Sequence, residues 1–357
     1  MQAGFNQDLL RIARQARGWS QTELSARSGV SQANLSKLEN GLIGPTEDVL
    51  KSVGKALDFP TDFFFQNDRV IGLPMSVQYR KRASVGQKAI ERLEAELNIR
   101  ILHIRRLLDA AELEPELSLP RMDVDEYGGS PERIADLIRR TWLVPSGPIR
   151  ELVAWVERAG CIVVHCDFAE LKVDGFTVQI TDMPPCIFLN RHMPADRQRF
   201  SLAHELGHVV MHQVPSPQME DEANAFASAL LMPARDIRPQ LSGRRLTIQR
   251  LAALKPVWRT SMAALLYRAK EIGAITDSQS QYLWRQMSSM GYRRAEPTEL
   301  DLEVETPTVL PEIVRLHLDE LGYGVSDLAR ALRSTEDDLR ALHPLPGSTA
   351  RFLRVVK

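Results

Sequence analysis

The sequence predicts a multidomain, mainly α-helical protein with one small sheet near the middle of the chain. Apolar residues recur at helical spacing in the first 60 residues, along 87–113 and through most of the chain after 218. Between them, 161–168, 175–180 and 185–190 are short β-branched or apolar runs separated by Asp-Gly and Pro-Pro pairs, which indicates strands. We therefore expect an all-α N-terminal domain, an α+β middle domain and an α-helical C-terminal domain.

Bulk properties are those of an ordinary globular protein. Hydrophobic residues make up 44% of the chain and charged residues 25%, with a net charge of -1, so any nucleic-acid binding must come from a local patch. No apolar run approaches the ~20 residues that a membrane helix needs. With no signal-peptide pattern and only three cysteines, we expect a cytoplasmic protein without a disulfide framework and without a membrane partner. The predicted domains are 1–67, 68–130 (a linker and a long helix), 131–240 and 241–357.

The first 60 residues predict five short helices. Ser20 followed three residues later by Glu23 is a capping box, and Gly29 suits a turn that needs a left-handed residue. Ser31 then caps a third helix that ends at Asn40-Gly41. Leu24, Ala26, Val30, Leu35 and Leu38 are predicted to face inward, and Gln32, Ala33, Asn34, Ser36 and Lys37 to lie on the open face. Short polar side chains at the start of such a helix suit base edges in the major groove.

This segment resembles the XRE, or lambda-repressor-type, helix-turn-helix family over the whole N-terminal domain. The resemblance implies a double-stranded DNA operator as partner, bound by a homodimer on paired half-sites. It places DNA contacts at Gln21, Ser31, Gln32, Ala33 and Lys37, with Asn34 on the same face, a phosphate contact at Asn40 and an internal ion pair between Arg14 and Glu39. The alternative for this domain is a helical protein-interaction module.

Residues 71–75 are predicted to be a linker, and 87–113 a long helix with one apolar stripe. That stripe favours packing against the chain's own domain, with a dimer helix as the alternative. The basic run Arg80, Lys81 and Arg82 is interpreted as a solvated face. Residues 251–273 predict two further short helices around 258–261, and 322–342 repeats that pattern weakly. We interpret both as helical packing or dimer segments.

The segment HELGH, 204–208, is the strongest chemical signal in the sequence. A helix has ~3.6 residues per turn, so His204 and His208 lie on one face and can hold one cation, while Glu205 can reach a metal-bound water. A third protein ligand is required. Glu220, in the helix predicted just downstream, is preferred over Glu222 because Glu220 lies one turn before Asn224.

Two nearby polar residues are predicted to support this site rather than to bind the ion. Asn224 is positioned to orient a ligand histidine. His212 continues the histidine row, but it lies ~12 Å along the helix axis from His204, too far for the same ion. We expect His212 at the rim or as a partner of a ligand.

The stretch RFSLAHELGHVVMH, followed by EDEANAFASALLMP, resembles the ImmA/IrrE metallopeptidases, whose fold is zincin-like. The resemblance implies one Zn²⁺, or Mn²⁺ as the alternative divalent metal, bound by His204, His208 and Glu220. It implies Glu205 as the general base. It also implies a narrow protein substrate of the repressor or antitoxin type, cut in a stress or mobile-element response.

Taken together, these features predict a DNA-binding transcriptional regulator with a site-specific zinc endopeptidase domain that cuts such a protein, itself included. The alternative is a non-proteolytic repressor or antitoxin whose zincin-like domain senses a ligand or binds a partner. An intact HELGH favours the peptidase. An edge strand, either 175–180 or 186–190, is expected to hold the substrate backbone by strand addition.

Overall fold

The computed structural model describes residues 4–68, 70–72, 86–168, 173–242, 245–343 and 353–355. These residues form 16 α-helices and five short strands. They divide into two compact units, one made of Met1–Glu114, Phe168–Val173 and Thr308–Lys357, the other of Pro115–Asp167 and Asp174–Pro307. The predicted fold class, multidomain and mainly α with one small sheet in the middle of the chain, is confirmed.

The first unit begins with four helices and a 3-10 turn. They are α1 Gln7–Ala16, α2 Gln21–Ser28, α3 Gln32–Glu39, α4 Glu47–Leu57 and the turn Thr61–Phe65. The predicted capping box is present, because Ser20 Oγ accepts the Glu23 N–H at 3.1 Å and the Ser20 N–H donates to the Glu23 carboxylate at 2.6 Å. Gly29 ends α2 with a φ of +74°, as its predicted turn position requires.

Two details of the N-terminal prediction are wrong. The fifth helix expected before residue 60 is the 3-10 turn at Thr61–Phe65. Ala26, expected to face inward, is exposed. It follows the buried Leu24 by two residues, and two residues of helix rotate a side chain to nearly the opposite face.

A long helix, α5 Gln87–Leu108, packs against α1 in the same unit. Its predicted stripe is buried, so packing against its own unit is the interpretation the structure supports. The helix ends at Leu108 rather than at 113, and Ala111–Leu113 forms β1 instead. Asn98 on α5 binds the backbone of Ile71, accepting its N–H at 2.7 Å and donating to its carbonyl at 2.9 Å. Residues 73–75 of the predicted linker and the basic run 80–82 lie outside the described residues.

The C-terminal helices belong to this first unit. They are α14 Val309–Asp319, α15 Val325–Ala331 and α16 Glu336–Leu342. Arg17, which follows the last residue of α1, donates to both carboxylate oxygens of Asp338 on α16, at 2.8 and 2.7 Å. The buried His103 and His343 meet at 3.0 Å, and burial lowers the pKa of His103 to about 3, so this is a contact between neutral rings.

A short strand, β5 Leu353–Val355, pairs antiparallel with β1. The C-terminal domain, expected to be α-helical, thus also contributes a strand, which completes a two-stranded sheet. The compact units also group the chain differently from the four predicted domains, since 308–343 packs with the N-terminal helices and 241–307 with the middle of the chain. The predicted boundaries stay predictions.

The second unit combines a three-stranded sheet with eight helices. The strands are β2 Ile162–Cys166, β3 Gly175–Val178 and β4 Cys186–Asn190; the helices are α6 Pro131–Thr141, α7 Leu152–Arg158, α8 Ala195–Met211, α9 Met219–Leu231, α10 Ala234–Leu241, α11 Ile248–Trp258, α12 Met262–Glu271 and α13 Asp277–Ser289. Helix α9 packs between α6 and α8, and α8 also contacts β3 and β4. This position buries almost every residue of α8.

The sheet has the order β2-β4-β3, with β2 parallel and β3 antiparallel to β4. Of the two edge strands proposed from the sequence, Cys186–Asn190 is wrong because β4 is paired on both sides. Gly175–Val178 is an edge strand. The three cysteines are buried and none of them forms a disulfide. Burial raises the pKa of the Cys186 thiol to about 12, so it stays protonated.

Candidate metal centre and nucleic-acid interface

The two histidines of HELGH lie one turn apart on the face of α8 that meets α9. Their Nε2 atoms are 3.0 Å apart. Each side chain is about one-tenth exposed, so the rings are held by packing rather than by solvent. The helical spacing predicted from the sequence therefore places both imidazoles at one point.

Glu220, in the first turn of α9, reaches the same point. One carboxylate oxygen is 3.6 Å from His204 Nε2 and the other is 3.5 Å from His208 Nε2. All three donor atoms lie within 4.8 Å of one another. Ligand atoms bound ~2.0–2.1 Å from a tetrahedral zinc lie ~3.3–3.4 Å apart. The observed separations fit a single ion of that size.

Gly207 allows the two ligand-bearing helices to approach this closely. A Cβ atom at this position would lie 3.0 Å from Phe226 Cδ1 and 3.4 Å from Ala223 Cα, both on α9. Phe226 and Ala223 are fully buried, so they have no open space into which to move. The glycine between the two histidines thus sets the distance from α8 to Glu220.

We expect Gly207→Val to destabilise the second unit and to weaken metal binding. Overpacking a buried contact costs about 1–3 kcal/mol, and here it pushes α9 and its carboxylate away from the histidines. Urea unfolding and zinc affinity by chelator competition measure the two effects. Gly207→Ala, which adds one carbon instead of three, should show smaller losses. Equal stability and affinity in all three proteins would contradict this role for Gly207.

A hydrogen-bond relay determines which nitrogen of His208 carries its proton. Glu222 Oε2 lies 3.0 Å from His212 Nε2, and His212 Nδ1 lies 2.8 Å from His208 Nδ1. A carboxylate only accepts, so His212 Nε2–H donates to Glu222 and the other nitrogen of His212 accepts. His208 then donates from Nδ1. Its Nε2 lone pair faces the donor cluster.

Asn224 determines which nitrogen of His204 carries the proton. Its Oδ1 lies 3.0 Å from His204 Nδ1 and accepts that proton, which leaves a lone pair on His204 Nε2. Two imidazole lone pairs and the Glu220 carboxylate therefore converge at one point. Acceptors that face one another need a cation or an additional proton between them. The donor set fits a divalent metal.

The electrostatics of the cluster favour positive charge. Burial disfavours the imidazolium form of His204 and by itself would lower its pKa. The net effect is nevertheless a raised pKa, because His204 forms hydrogen bonds with Glu220 and Asn224 and lies near the negative charges of Glu205 and Glu220. By contrast, burial lowers the pKa of His212 despite its bond to Glu222, so this ring stays neutral at neutral pH. A neutral His212 is what the relay requires.

We expect Asn224→Ala to lower zinc affinity roughly 10- to 100-fold, the usual effect of removing a partner that orients a metal-binding histidine. The His204 ring would lose the acceptor for its Nδ1 proton. Competition with a zinc-binding dye measures the affinity. Asn40→Ala removes an amide from the other unit and should leave the affinity unchanged. An Asn224 variant that binds zinc as tightly as the parent would exclude the proposed orienting role.

The remaining candidate residues of this region have different partners in the structure. Glu222, the rival third ligand, binds His212 and is not part of the donor cluster. Glu205 is buried beside His204, and the hydroxyl of Thr177 on β3 donates to its carboxylate at 2.8 Å. Sequence reasoning missed Thr177; its only signal was a hydroxyl within the otherwise apolar run GFTV.

In the first unit, the residues predicted to contact DNA surround α3. Ser31 caps that helix by accepting the Asn34 N–H at 3.3 Å, while Leu35 and Leu38 are buried as expected. The remaining predicted contacts lie on the solvent side: Ser31, Gln32, Ala33, Lys37 and Asn40 are exposed, and Gln21 and Asn34 are partly exposed. The structure thus leaves this face accessible within its unit.

The ion pair expected inside the domain is present and connects to this face. Arg14 Nε and Nη2 donate to the two carboxylate oxygens of Glu39 at 2.6 and 2.7 Å, and both side chains are buried. The Gln21 amide donates to the same carboxylate at 2.9 Å, and the Gln32 amide donates to Gln21 at 2.8 Å. The buried pair therefore orients two predicted DNA contacts.

Comparisons with known proteins identify the same two regions. Residues 156–270 match the family model described as the IrrE N-terminal-like domain of M78 peptidases, and residues 10–64 match a helix-turn-helix model. A relative from Sinorhizobium fredii (strain NBRC 101917 / NGR234), described as "Uncharacterized HTH-type transcriptional regulator y4dL", is 49% identical over 49 residues. That match covers 14% of this chain and about a quarter, 25%, of the relative's length. Both resemblances seen in the motifs are confirmed.

Among the described residues, no helix has both the length and the apolar character that crossing a bilayer requires.

Proposed function

We propose that this chain, which joins an XRE-type helix-turn-helix domain to an ImmA/IrrE-like peptidase domain, is a DNA-binding regulator that acts as a site-specific zinc endopeptidase. Its substrate is a repressor- or antitoxin-type protein, the chain itself included. The observation that carries the proposal is the convergence of His204, His208 and Glu220 on one point beside the buried Glu205 carboxylate. Helix packing alone does not explain this arrangement, because three hydrogen-bond acceptors that face one another are unfavourable without a cation or a proton between them.

Each residue of the site has a separate role in peptide hydrolysis. A divalent ion held by His204, His208 and Glu220 would supply a Lewis acid for the scissile carbonyl and the attacking water. Glu205 takes a proton from that water and returns it to the leaving nitrogen. The Thr177 hydroxyl, 2.8 Å from the Glu205 carboxylate, orients this base.

The substrate backbone pairs with β3 in this proposal, because β3 is the outer strand of the sheet among the described residues. β3 is an edge strand of the three-stranded sheet, and its Thr177 touches the proposed base. A polypeptide added as a further strand would therefore run past the donor cluster with its amide groups bound by main-chain hydrogen bonds.

The N-terminal domain supplies DNA binding, and the similarity to a Sinorhizobium protein described as a transcriptional regulator supports a role in transcription. Domains of this type bind as dimers on paired half-sites, so one copy per chain points to a homodimer on the operator. The proposed contacts are Gln21, Ser31, Gln32, Ala33, Asn34, Lys37 and Asn40, which lie around the accessible face of α3. Lys37 supplies the positive charge of this set.

Metal removal tests the peptidase. The purified full chain is incubated with an extract of the cells that carry it, in three forms: loaded with Zn²⁺, stripped by chelation, and reloaded with Zn²⁺ or Mn²⁺. New protein N-termini are labelled and identified by mass spectrometry. We expect N-termini that appear with the loaded chain, disappear after stripping and return on reloading. Identical sets of N-termini in all three samples would overturn the peptidase and leave a non-proteolytic regulator.

A further inference from the structure

A large cavity opens on one side of the donor cluster in the second unit. Its volume is about 1040 Å³, at the upper end of the ~300–1,000 Å³ typical of ligand pockets. Three of its lining residues border the metal site: Ser201 lies one turn before His204 on α8, Asn224 binds His204 at 3.0 Å, and Asp174 immediately precedes β3. A polypeptide lying along β3 would therefore pass this opening.

Apolar and aromatic side chains on three sides of the cavity give it a continuous apolar surface between charged groups. Phe200 on α8 and Ala225 on α9 form one side, Ala264 and Tyr267 on α12 another, and Tyr292 in the segment after α13 a third. The Tyr267 ring is supported by Trp284, with the ring centroids 4.8 Å apart. The segment that holds Tyr292 lies beyond the residues that match the IrrE-like family model, so this wall is an addition to the matched domain.

Buried ion pairs hold that wall in place. Glu296, four residues after Tyr292, accepts from Lys255 Nζ at 2.7 Å and from the backbone N–H of Ala263 at 3.2 Å. Lys255 also binds Asp196 on α8 at 2.7 Å, and its side chain is 3% exposed. These contacts fix Glu296, and with it the segment that carries Tyr292, against α11 and α12.

The charges of the lining do not select a polyanion. Six carboxylates and five basic side chains line the cavity, so it has no excess of positive charge for a phosphate-rich ligand. Several of these groups are used internally, as Asp174 is by Arg197 at 2.8 Å. The apolar surface between them is what remains to bind an occupant.

We propose that this cavity is the specificity pocket of the peptidase and takes a large apolar, preferably aromatic, side chain of a polypeptide bound along β3. The inference rests on the proposed function for its role in cleavage. The pocket selects the substrate because burying such a side chain next to the donor cluster places one particular peptide bond at the metal site. Tyr267 and Tyr292 offer ring faces for that side chain, and Ala225 and Ala264 leave the space for it.

The test separates binding from cleavage. Phage-displayed random dodecapeptides are selected on the immobilised, zinc-loaded full chain carrying Glu205→Gln, which prevents turnover. We expect the selected peptides to share one position occupied by large apolar or aromatic residues. In the same background, Ala264→Trp fills the pocket and Tyr267→Ala removes a ring from its rim. The matched control is Ala253→Trp, at an exposed position of α11 outside the cavity.

Filling the pocket with Ala264→Trp should weaken the binding of the selected peptides about 10- to 100-fold, the effect expected from losing the burial of one large apolar side chain. The control Ala253→Trp should leave their binding unchanged. Unchanged zinc content confirms that the variants are folded. The inference is overturned if no peptide is enriched, if the enriched peptides share no apolar position, or if Ala264→Trp and Tyr267→Ala both bind them like the control.

The selected peptides are then incubated with the zinc-loaded chain that retains Glu205. Cleavage next to the shared position supports both proposals. Pocket-dependent binding without cleavage contradicts the peptidase and keeps the pocket as a binding site. Cleavage at unchanged positions in the Ala264→Trp protein with Glu205 restored contradicts the pocket and keeps the peptidase.

Discussion

Glu205→Gln is expected to lower the cleavage rate roughly 10²- to 10⁴-fold, the contribution of a well-placed general acid–base group. The substitution keeps the size of the side chain and leaves His204, His208 and Glu220 in place. It removes the carboxylate that lies beside them and accepts from Thr177. The cleavage rate is measured on the protein whose new N-terminus depends on zinc, and bound zinc is measured in the same sample.

Metal content makes this prediction specific to the base. We expect the Glu205→Gln protein to bind one zinc per chain, as the parent does, because Glu205 is not one of the three converging donors. Glu126→Gln, an exposed acid in the same unit, is the matched control and should cleave at the parental rate. If Glu205→Gln retains both zinc and full activity, proton transfer must be assigned to another group.

Glu39→Ala should destabilise the DNA-binding part of the first unit by about 3–5 kcal/mol. The substitution leaves the buried guanidinium of Arg14 without its bidentate partner, and an uncompensated buried charge costs about that much. Gln21 loses its acceptor as well, so operator affinity should fall with stability. Amide hydrogen exchange by mass spectrometry, read on the peptides of α1 to α3, reports the loss for this region alone.

A double variant distinguishes an unpaired charge from lost packing. Arg14→Leu combined with Glu39→Leu removes both charges and should be less destabilised than Glu39→Ala, because a buried ion pair can often be replaced by apolar residues at little cost. The double variant also loses the Arg14 donor to the Trp19 carbonyl, so full parental stability is not expected. A double variant less stable than the single one would show that the charges themselves stabilise the domain.

The sequence predicted best those features that depend on neighbours along one helix. Ser20 and Glu23 form their capping box three residues apart, and His204 and His208 meet because one helical turn separates them. The long helix was predicted correctly except at its C-terminal end. There, Ala111–Leu113 pairs with β5, a partner more than 200 residues away in the chain that no local pattern could indicate.

Choices between similar neighbours needed the three-dimensional packing. Glu220 and Glu222 lie in the same turn of α9 and differ only in direction; the structure points the first at the two histidines and the second at His212. In the same way, the sequences of residues 175–178 and 186–190 both predict a strand and do not distinguish an edge position from a central one. Only the strand order shows that β3 is at an edge of the sheet while β4 is in its centre.

By itself, the sequence determined the two domain types and the face of α8 that carries both histidines, because caps and one-turn spacings are properties of a single helix. Only the tertiary structure established that Glu220, the carboxylate preferred from the sequence, completes the donor cluster, that Thr177 holds Glu205, and that the C-terminal helices pack with the N-terminal ones. Those outcomes depend on how closely separate elements approach, as Gly207 lets α9 approach α8. Such distances are set by packing between residues far apart in the chain.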